Sequence, residues 1–359
     1  MAKGPTVYDV AQEAGVSIAT VSFTFRQPDR VRPATREAVL TAARLLGYVP
    51  SASARGLARG RTGALGLFAF DYLIDSAAVA AGRSDVESLP EDPNESYRIF
   101  PLYVDEIQRG VQLECWKRGY ALMVGGGNPN TTETTLTDIA GRVDGLAVFP
   151  NSLPQAILER ISQRIPVVEV SETLLNRELD HVTVDNFGGM RSLVRHLVDV
   201  HQLTDLQFVG GLTSSDNRAR WSGMAATLKQ YGIAPRPLAQ EGEFSREDIG
   251  NLVASLQAAG TLPQAFVCAT DEEALKTLEA LSEAGIAVPG TVAVTGFDGI
   301  VAGRIARPAL TTVRQPMEEM GRAIVGLLIN RIENPERAPV VQELPVRLVV
   351  RESCGCPAP

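Results

Sequence analysis

Over residues 1–49 the apolar positions are sparse and helically spaced. Thr6 can cap a helix through Asp9, Val10 and Ala11 to Ala14, and Gly15 follows where a positive φ is needed. Ser17 is a second N-cap, ahead of a helical run over residues 18–25. Pro33 and Thr35 open a third helix with Val39, Ala42, Ala43 and Leu46 at helical spacing and Gly47 past its end. Val10, Val16 and Val21 complete a very small core. A helix, a glycine turn and a second helix lay the second across the first, with one side exposed.

From residue 64 the pattern changes. Short apolar runs at 64–70, 121–124, 145–149, 167–170, 206–209, 265–268 and 292–294 alternate with amphipathic stretches at 104–118, 187–200, 220–231, 271–284 and 317–332. Gly119, Gly232 and Gly285 stand where helices should stop. Alternating strands and helices predict parallel sheets covered on both faces, with any ligand at the strand C-termini.

The chain has 359 residues, 45% of them hydrophobic and 21% charged, with a formal net charge of −8. These values exclude a collagen-like or wholly disordered chain. No apolar run is long enough to cross a bilayer, and the first ten residues lack the apolar stretch of a signal peptide. Four cysteines form no paired framework, so a reducing cytoplasm is expected. The charge is segregated. Residues 1–62 hold nine basic groups against four acidic ones, a balance of +5 that leaves −13 for the rest. A basic head on an acidic body suggests that the head alone approaches a polyanion, although a solvated basic face would look the same.

The run Thr6-Val7-Tyr8-Asp9-Val10-Ala11, with Ala14-Gly15-Val16-Ser17 and Ala19-Thr20-Val21-Ser22, resembles the head of the lactose-repressor (LacI/GalR) family. Thr35-Arg36, Gly47-Tyr48-Val49-Pro50 and Ala54-Arg55-Gly56-Leu57 continue the likeness. The resemblance implies an all-α helix-turn-helix head whose second helix enters the major groove. Ile18, Ala19 and Phe23 would then face the bases, and Thr6, Tyr8, Ser17, Thr20 and Ser22 would lie near the backbone. Ile, Ala and Phe offer no bidentate hydrogen bonds and can only pack on thymine methyls, a departure from better-known members. Thr20 and Ser22 could instead bond the helix backbone. Residues 50–62 resemble the family's hinge, with Ser51, Ala54 and Arg55 near DNA and Leu57 as a minor-groove wedge. The family often has Asn where Ser51 stands.

The likeness extends through Val184-Asp185-Asn186, His196-Leu197, Gly296-Phe297-Asp298, Leu310-Thr311-Thr312-Val313 and the terminal Arg351-Glu352-Ser353-Cys354-Gly355-Cys356. It implies a periplasmic-binding-protein-like α/β body of two doubly wound parallel-sheet lobes with a cleft between them. The expected organisation is a head at 1–49, a hinge at 50–62, a body at 63–353 for effector binding and dimerisation, and a tail at 354–359. By the same resemblance Arg220 and Asp298 bind the effector, a fork of donors beside an acceptor that suits vicinal hydroxyls. Phe244 would line the pocket, and Glu169, Asp216, Thr270 and Asp271 are further candidates. Asp271 could instead cap its helix, Phe244 could be core, and Arg220 could pair Asp298 structurally.

Residues 71–100 depart from the family pattern as an acidic insertion interrupted by Pro90 and Pro93, with 84–96 reading as a mobile loop. It either lids the pocket or is inert. Cys354-Gly355-Cys356 raises a metal site, but His181, His196 and His201 form no set of zinc spacing with it, and no metal or cofactor is expected. No nucleophile, base and orienter stand together, so an enzyme is not expected. The reading is a homodimeric, sequence-specific regulator, expected to repress. Its partners are a pseudo-palindromic operator in double-stranded DNA and a small effector, a sugar, with a purine or other metabolite as the alternative. No membrane is involved, and a receptor module without a DNA role is the competing class.

Overall fold

The computed structural model describes residues 4–49, 61–69, 102–126, 132–149, 155–171, 178–242 and 244–357. The hinge candidates Ser51, Ala54, Arg55 and Leu57, and the insertion at 71–100, lie outside the described residues. The chain divides into two compact units, Met1–Gly63 and Ala64–Pro359. Among the described residues no helix is long and apolar enough to cross a membrane.

Among the described residues the first unit has three helices, α1 (Val7–Glu13), α2 (Ile18–Arg26) and α3 (Pro33–Leu46), with a 3-10 turn at Pro28–Arg30. Local chemistry sets the boundaries. Thr6 and Asp9 form a capping box at the start of α1, and Ser17 Oγ accepts from Thr20 N at 3.1 Å at the start of α2. Gly15 and Gly47 take left-handed φ values of 65° and 64° where α1 and α3 stop. Val10, Ala11, Val21, Val39, Ala42 and Ala43 are buried together as the core, and Val16 and Leu46 pack against it half-buried.

Among the described residues the second unit holds two sheets. One is wholly parallel, in the order β10-β5-β4-β3-β1-β2, with β1 (Ala64–Phe68), β2 (Ala121–Gly125), β3 (Leu146–Val148), β4 (Val167–Val170), β5 (Asp180–Val184) and β10 (Val341–Leu344). The other runs β11-β9-β8-β7-β6, with β6 (Leu206–Val209), β7 (Ala265–Cys268), β8 (Ala293–Asp298) and β9 (Thr311–Arg314) parallel and β11 (Arg347–Val349) antiparallel at the edge. The strands β1, β3 and β7 read as continuous apolar runs because both faces are covered.

In the first lobe α4 (Leu102–Arg118) and α12 (Met317–Glu333) bury Ile107, Val111, Ile324 and Leu328 with Leu65, Leu67, Val168 and Val170. Leu136 of α5 (Thr132–Ala140) and Leu158 of α6 (Gln155–Ser162) join the core that holds Phe68, Leu146 and Val148. In the second lobe α7 (Asn186–His201) and α8 (Ser215–Gln230) pack Met190, Leu193, Met224 and Leu228 with Leu206 and Phe208. There α9 (Arg246–Ala258) and α10 (Asp271–Glu283) share a core with Val209, Phe266 and Val294. The helices α4 and α12 meet backbone to backbone. A Cβ on Gly110 would lie 2.1 Å from Glu318 O, and one on Gly321 would lie 2.2 Å from Ile107 O.

Among the described residues the chain passes between the lobes three times: from β5 into α7, from β9 into α12, and from β10 into β11. Asn186 is the first residue of α7, and Gln315 directly follows β9, so each stands at a crossing. The short α11 (Val301–Ile305) follows β8.

Candidate functional site

In the first unit Val21 and Thr24 turn inward from α2, while Ile18, Ala19, Ser22 and Phe23 fall at spacings that share another face. Ile18 and Phe23 are 42% and 39% exposed on that face. The Arg30 guanidinium lies 5.1 Å from the Phe23 ring centroid, adding positive charge there. Tyr8 is also exposed. Thr20 Oγ1 lies 2.9 Å from Ser17 Oγ at the surface. Thr6 donates through both N and Oγ1 to Asp9 Oδ2, each at 2.7 Å, so the structure gives it a capping role.

In the second unit buried and half-buried polar groups gather near strand C-termini. Asp298 ends β8 with φ 120°, a conformation costly for a residue with a side chain. Its Oδ1 accepts from Gln315 Nε2 at 2.7 Å and lies 3.6 Å from Arg220 Nη1. Arg220 of α8 is buried and donates Nε to Asn186 Oδ1 at 2.8 Å and Nη1 to the Ala269 carbonyl at 2.7 Å. Its guanidinium stacks 3.9 Å from the Phe297 ring centroid. Asn186 Nδ2 donates to Asp216 Oδ1 at 2.9 Å. Across from these, the Tyr103 hydroxyl lies 3.1 Å from Ser171 Oγ, and its ring meets Phe149 edge-on with centroids 6.4 Å apart. Ser171 follows β4 and also has a left-handed φ, 73°.

Electrostatics tie the two sides together. Burial, aided by the charge of Asp216, pushes the Tyr103 hydroxyl well above its ordinary value, so it stays a neutral donor. Burial also raises the Asp298 carboxyl, and the Arg220 guanidinium opposes that rise. The arrangement offers carboxylates, amides and the Arg220 cation, held by fixed neighbours. That is how a site reads a small polar molecule.

Four further sequence candidates are held by structural neighbours. Asp271 is fully buried, but Thr312 Oγ1 donates to its Oδ1 at 2.5 Å, and Gly299 N and Ile300 N donate to its Oδ2 at 2.7 and 2.8 Å. It is a structural clasp on β8 and β9, with its carboxyl raised by burial and by Asp298. Thr270 caps α10, accepting from Glu273 N at 3.2 Å while Glu273 Oε2 accepts from Thr270 N at 3.0 Å. Phe244 is buried in the apolar cluster with Val209, Ile249 and Val253. Glu169 sits inside β4 opposite His181 of β5, its Oε2 3.7 Å from His181 Nε2. Arg220, Asp298 and Asp216 are brought together.

Tyr103, Ser171 and Gln315 escaped the sequence reading, and Asn186 entered it only as part of a motif and not as a site residue. A signal existed for three of them, since Ser171, Asn186 and Gln315 each stand at or just beyond a strand C-terminus. A further correction concerns metal ligands. The linear spacing of His196, His201, Cys354 and Cys356 suggests no set, yet the fold brings one ligand atom of each within 4.8 Å of all the others.

Two family models match the chain, "Bacterial regulatory proteins, lacI family" over residues 6–51 and "Periplasmic binding protein-like domain" over residues 194–354. The HTH-type transcriptional repressor PurR of Haemophilus influenzae (strain PittEE) is 30% identical over 359 residues, covering 96% of this chain and 98% of the relative. That of Pasteurella multocida (strain Pm70) is 29% identical over 356 residues, covering 97% and 98%. Among solved structures, a transcriptional regulator CelR–cellobiose complex shares 28% identity with a TM-score of 0.67 over 97% of this chain and 99% of that one. The lac repressor dimer bound to operator and the anti-inducer ONPF, at 24% identity, shares the fold with a TM-score of 0.77 over 98% and 99%. A helix-turn-helix head, a two-lobed parallel α/β body and likeness along nearly the whole length agree, and the chain belongs to the lacI family of DNA-binding transcriptional repressors.

Proposed function

We propose that two copies of the chain bind a pseudo-palindromic operator in the cytoplasm, and that a small polyhydroxylated molecule, a sugar, sets their affinity for it from between the lobes. The observation that carries this reading is the run Gln315–Asp298–Arg220–Asn186–Asp216, buried except at the half-buried Asp216. A carboxylate beside the guanidinium, and a second carboxylate reached from it through Asn186, suit a ligand that supplies hydroxyl donors in pairs. Likeness to a regulator whose structure holds cellobiose supports the same class. The Tyr103–Phe149 pair beside these groups favours a second reading, a planar nucleobase.

The body is proposed to convert binding into a change at the DNA. Asn186 and Gln315 stand at two of the three crossings between lobes, so a ligand that engages their partners biases how the lobes close. The heads follow through residues 50–62, with Leu57 as the proposed wedge and Ser51, Ala54 and Arg55 beside it. In the groove, Ile18, Ala19 and Phe23 meet base edges, with Tyr8, Ser17, Thr20 and Ser22 toward phosphates.

A thermal-shift screen of neutral sugars and nucleobases, followed by calorimetry on the hits, tests the effector class. A sugar should raise the melting temperature of the wild type and fail to do so in Asp298→Asn. A response to nucleobases alone removes the sugar reading.

A further inference from the structure

We propose a structural zinc site formed by His196, His201, Cys354 and Cys356, which pins the end of the chain to the end of α7. His196 lies in α7 and His201 is its last residue, while Cys354 ends the 3-10 turn Glu352–Cys354 and Cys356 follows after Gly355. In space the four meet. Cys354 Sγ lies 3.6 Å from His196 Nε2, and Cys356 Sγ lies 3.7 Å from His196 Nε2 and 3.3 Å from His201 Nε2. The two imidazoles are nearly perpendicular, with centroids 5.0 Å apart.

These spacings match a tetrahedral ion. Zinc–sulfur bonds of about 2.3 Å and zinc–nitrogen bonds of about 2.0–2.1 Å place sulfur and nitrogen about 3.5 Å apart at a tetrahedral angle. Two thiolates and two imidazoles are a soft and borderline donor set, the chemistry that selects zinc over calcium or magnesium. The cysteines bind as thiolates, each releasing its proton to solvent, and the histidines bind neutral through Nε2. The zinc complex is then uncharged overall, which suits a half-buried place.

The surroundings fit ligands held for a metal. The Thr311 hydroxyl lies 3.2 Å from Cys354 Sγ, an outer donor to a thiolate. Neighbouring Ser353 donates to Val294 O at 2.5 Å and accepts from Thr311 N at 2.8 Å, so the turn that presents Cys354 is already locked to β8 and β9. Gly355 takes φ 102°, which lets the two cysteines straddle one point, and its position faces the His201 ring. Four protein ligands leave no open coordination position, so the ion is structural. It would fasten the tail to the helix whose other end carries Asn186, and thereby steady the Arg220 network.

The test uses the full-length chain, purified without a histidine tag under reducing conditions, with zinc as the probe. Elemental analysis after gel filtration should find about one zinc per chain. Cobalt substitution should give the intense thiolate-to-cobalt and tetrahedral d–d absorption, and zinc should suppress labelling of Cys356 by a thiol reagent. Cys356→Ser and His201→Gln should each lower retained zinc at least tenfold and abolish the cobalt spectrum. Cobalt and thiol labelling on the native chain need no variant, so a misfolded variant does not blunt the test. A reduced chain that retains no zinc and gives no tetrahedral cobalt spectrum overturns the proposal. So does a Cys354–Cys356 disulfide whose reduction restores no metal binding.

Discussion

Replacing Arg220 with methionine removes the charge from the centre of the cleft network and leaves Asp298 buried beside Asp216. At 3.6 Å the Arg220–Asp298 attraction is about 4–5 kcal/mol for an effective dielectric near 20. Breaking one partner of a buried pair costs about 3–5 kcal/mol, because the other charge stays behind. Asn186 Oδ1 and the Ala269 carbonyl each lose a donor as well, which adds to the cost. A net loss of about 4 kcal/mol near pH 8 follows, or a melting temperature lower by about 8 °C for a unit of this size. The loss depends on pH. The folded Asp298 carboxyl already binds its proton more tightly than it would in the unfolded chain, and without Arg220 it binds it more tightly still. Stability therefore falls as pH rises from the ordinary aspartate value of about 4 through the raised folded value, and falls further in the variant. Thermal unfolding of both proteins across that range should show a gap that widens with pH. A gap that narrows with rising pH, or a drop of less than about 2 °C near pH 8, refutes the charge argument.

Asp298→Asn keeps the shape of the site but removes the ionised acceptor. Calorimetry should show at least a tenfold loss of sugar affinity, and the wild-type rise in affinity as pH climbs through the elevated Asp298 value should flatten in the variant. Gly321→Ala forces a Cβ to within 2.2 Å of Ile107 O and should destabilise by about 1–3 kcal/mol or more in thermal unfolding. Gly326→Ala, on the same helix with no atom within 4 Å of its Cβ, should stabilise by up to about 1 kcal/mol. Ile18→Ser with Phe23→Ser should leave the melting temperature of the head nearly unchanged, while operator binding measured by fluorescence anisotropy falls at least tenfold.

The head was almost fully legible, because its boundaries are written in local chemistry. Thr6, Ser17 and Gly47 each act within a few residues of themselves, and the structure places them as capping and stop positions. The strands β4, β6 and β7 were legible to the residue because parallel strands covered on both faces are mostly apolar, with a single polar residue in β4 (Glu169) and in β6 (Gln207). The strands β5, β9, β10 and β11 carry Asp, His, Thr, Gln and Arg, and their polarity hides them. Asp180, for example, is a β5 residue buried against Arg331 and Arg337, a partnership 151 and 157 residues away that no window of sequence displays. The same logic divides the cleft. Arg220 and Asp298 were reached through resemblance, but that resemblance could not say that Asp271 turns its carboxylate onto Thr312 and the Gly299–Ile300 amides. Tyr103 follows directly on residues that break the family pattern. His196 and His201 are five residues apart, a step that on an ideal helix points side chains in different directions, so their meeting with Cys354 and Cys356 is visible only in space.

The most direct test of the regulator is a selection of duplexes from a random library by the full-length protein, followed by anisotropy titrations over a range of salt, with and without the effector found by thermal shift. The account predicts a two-fold symmetric sequence bound at least about a thousandfold more tightly than a scrambled duplex near physiological salt, with an affinity that the effector shifts and that Asp298→Asn no longer allows it to shift. Equal binding to selected and scrambled duplexes at every salt concentration contradicts it.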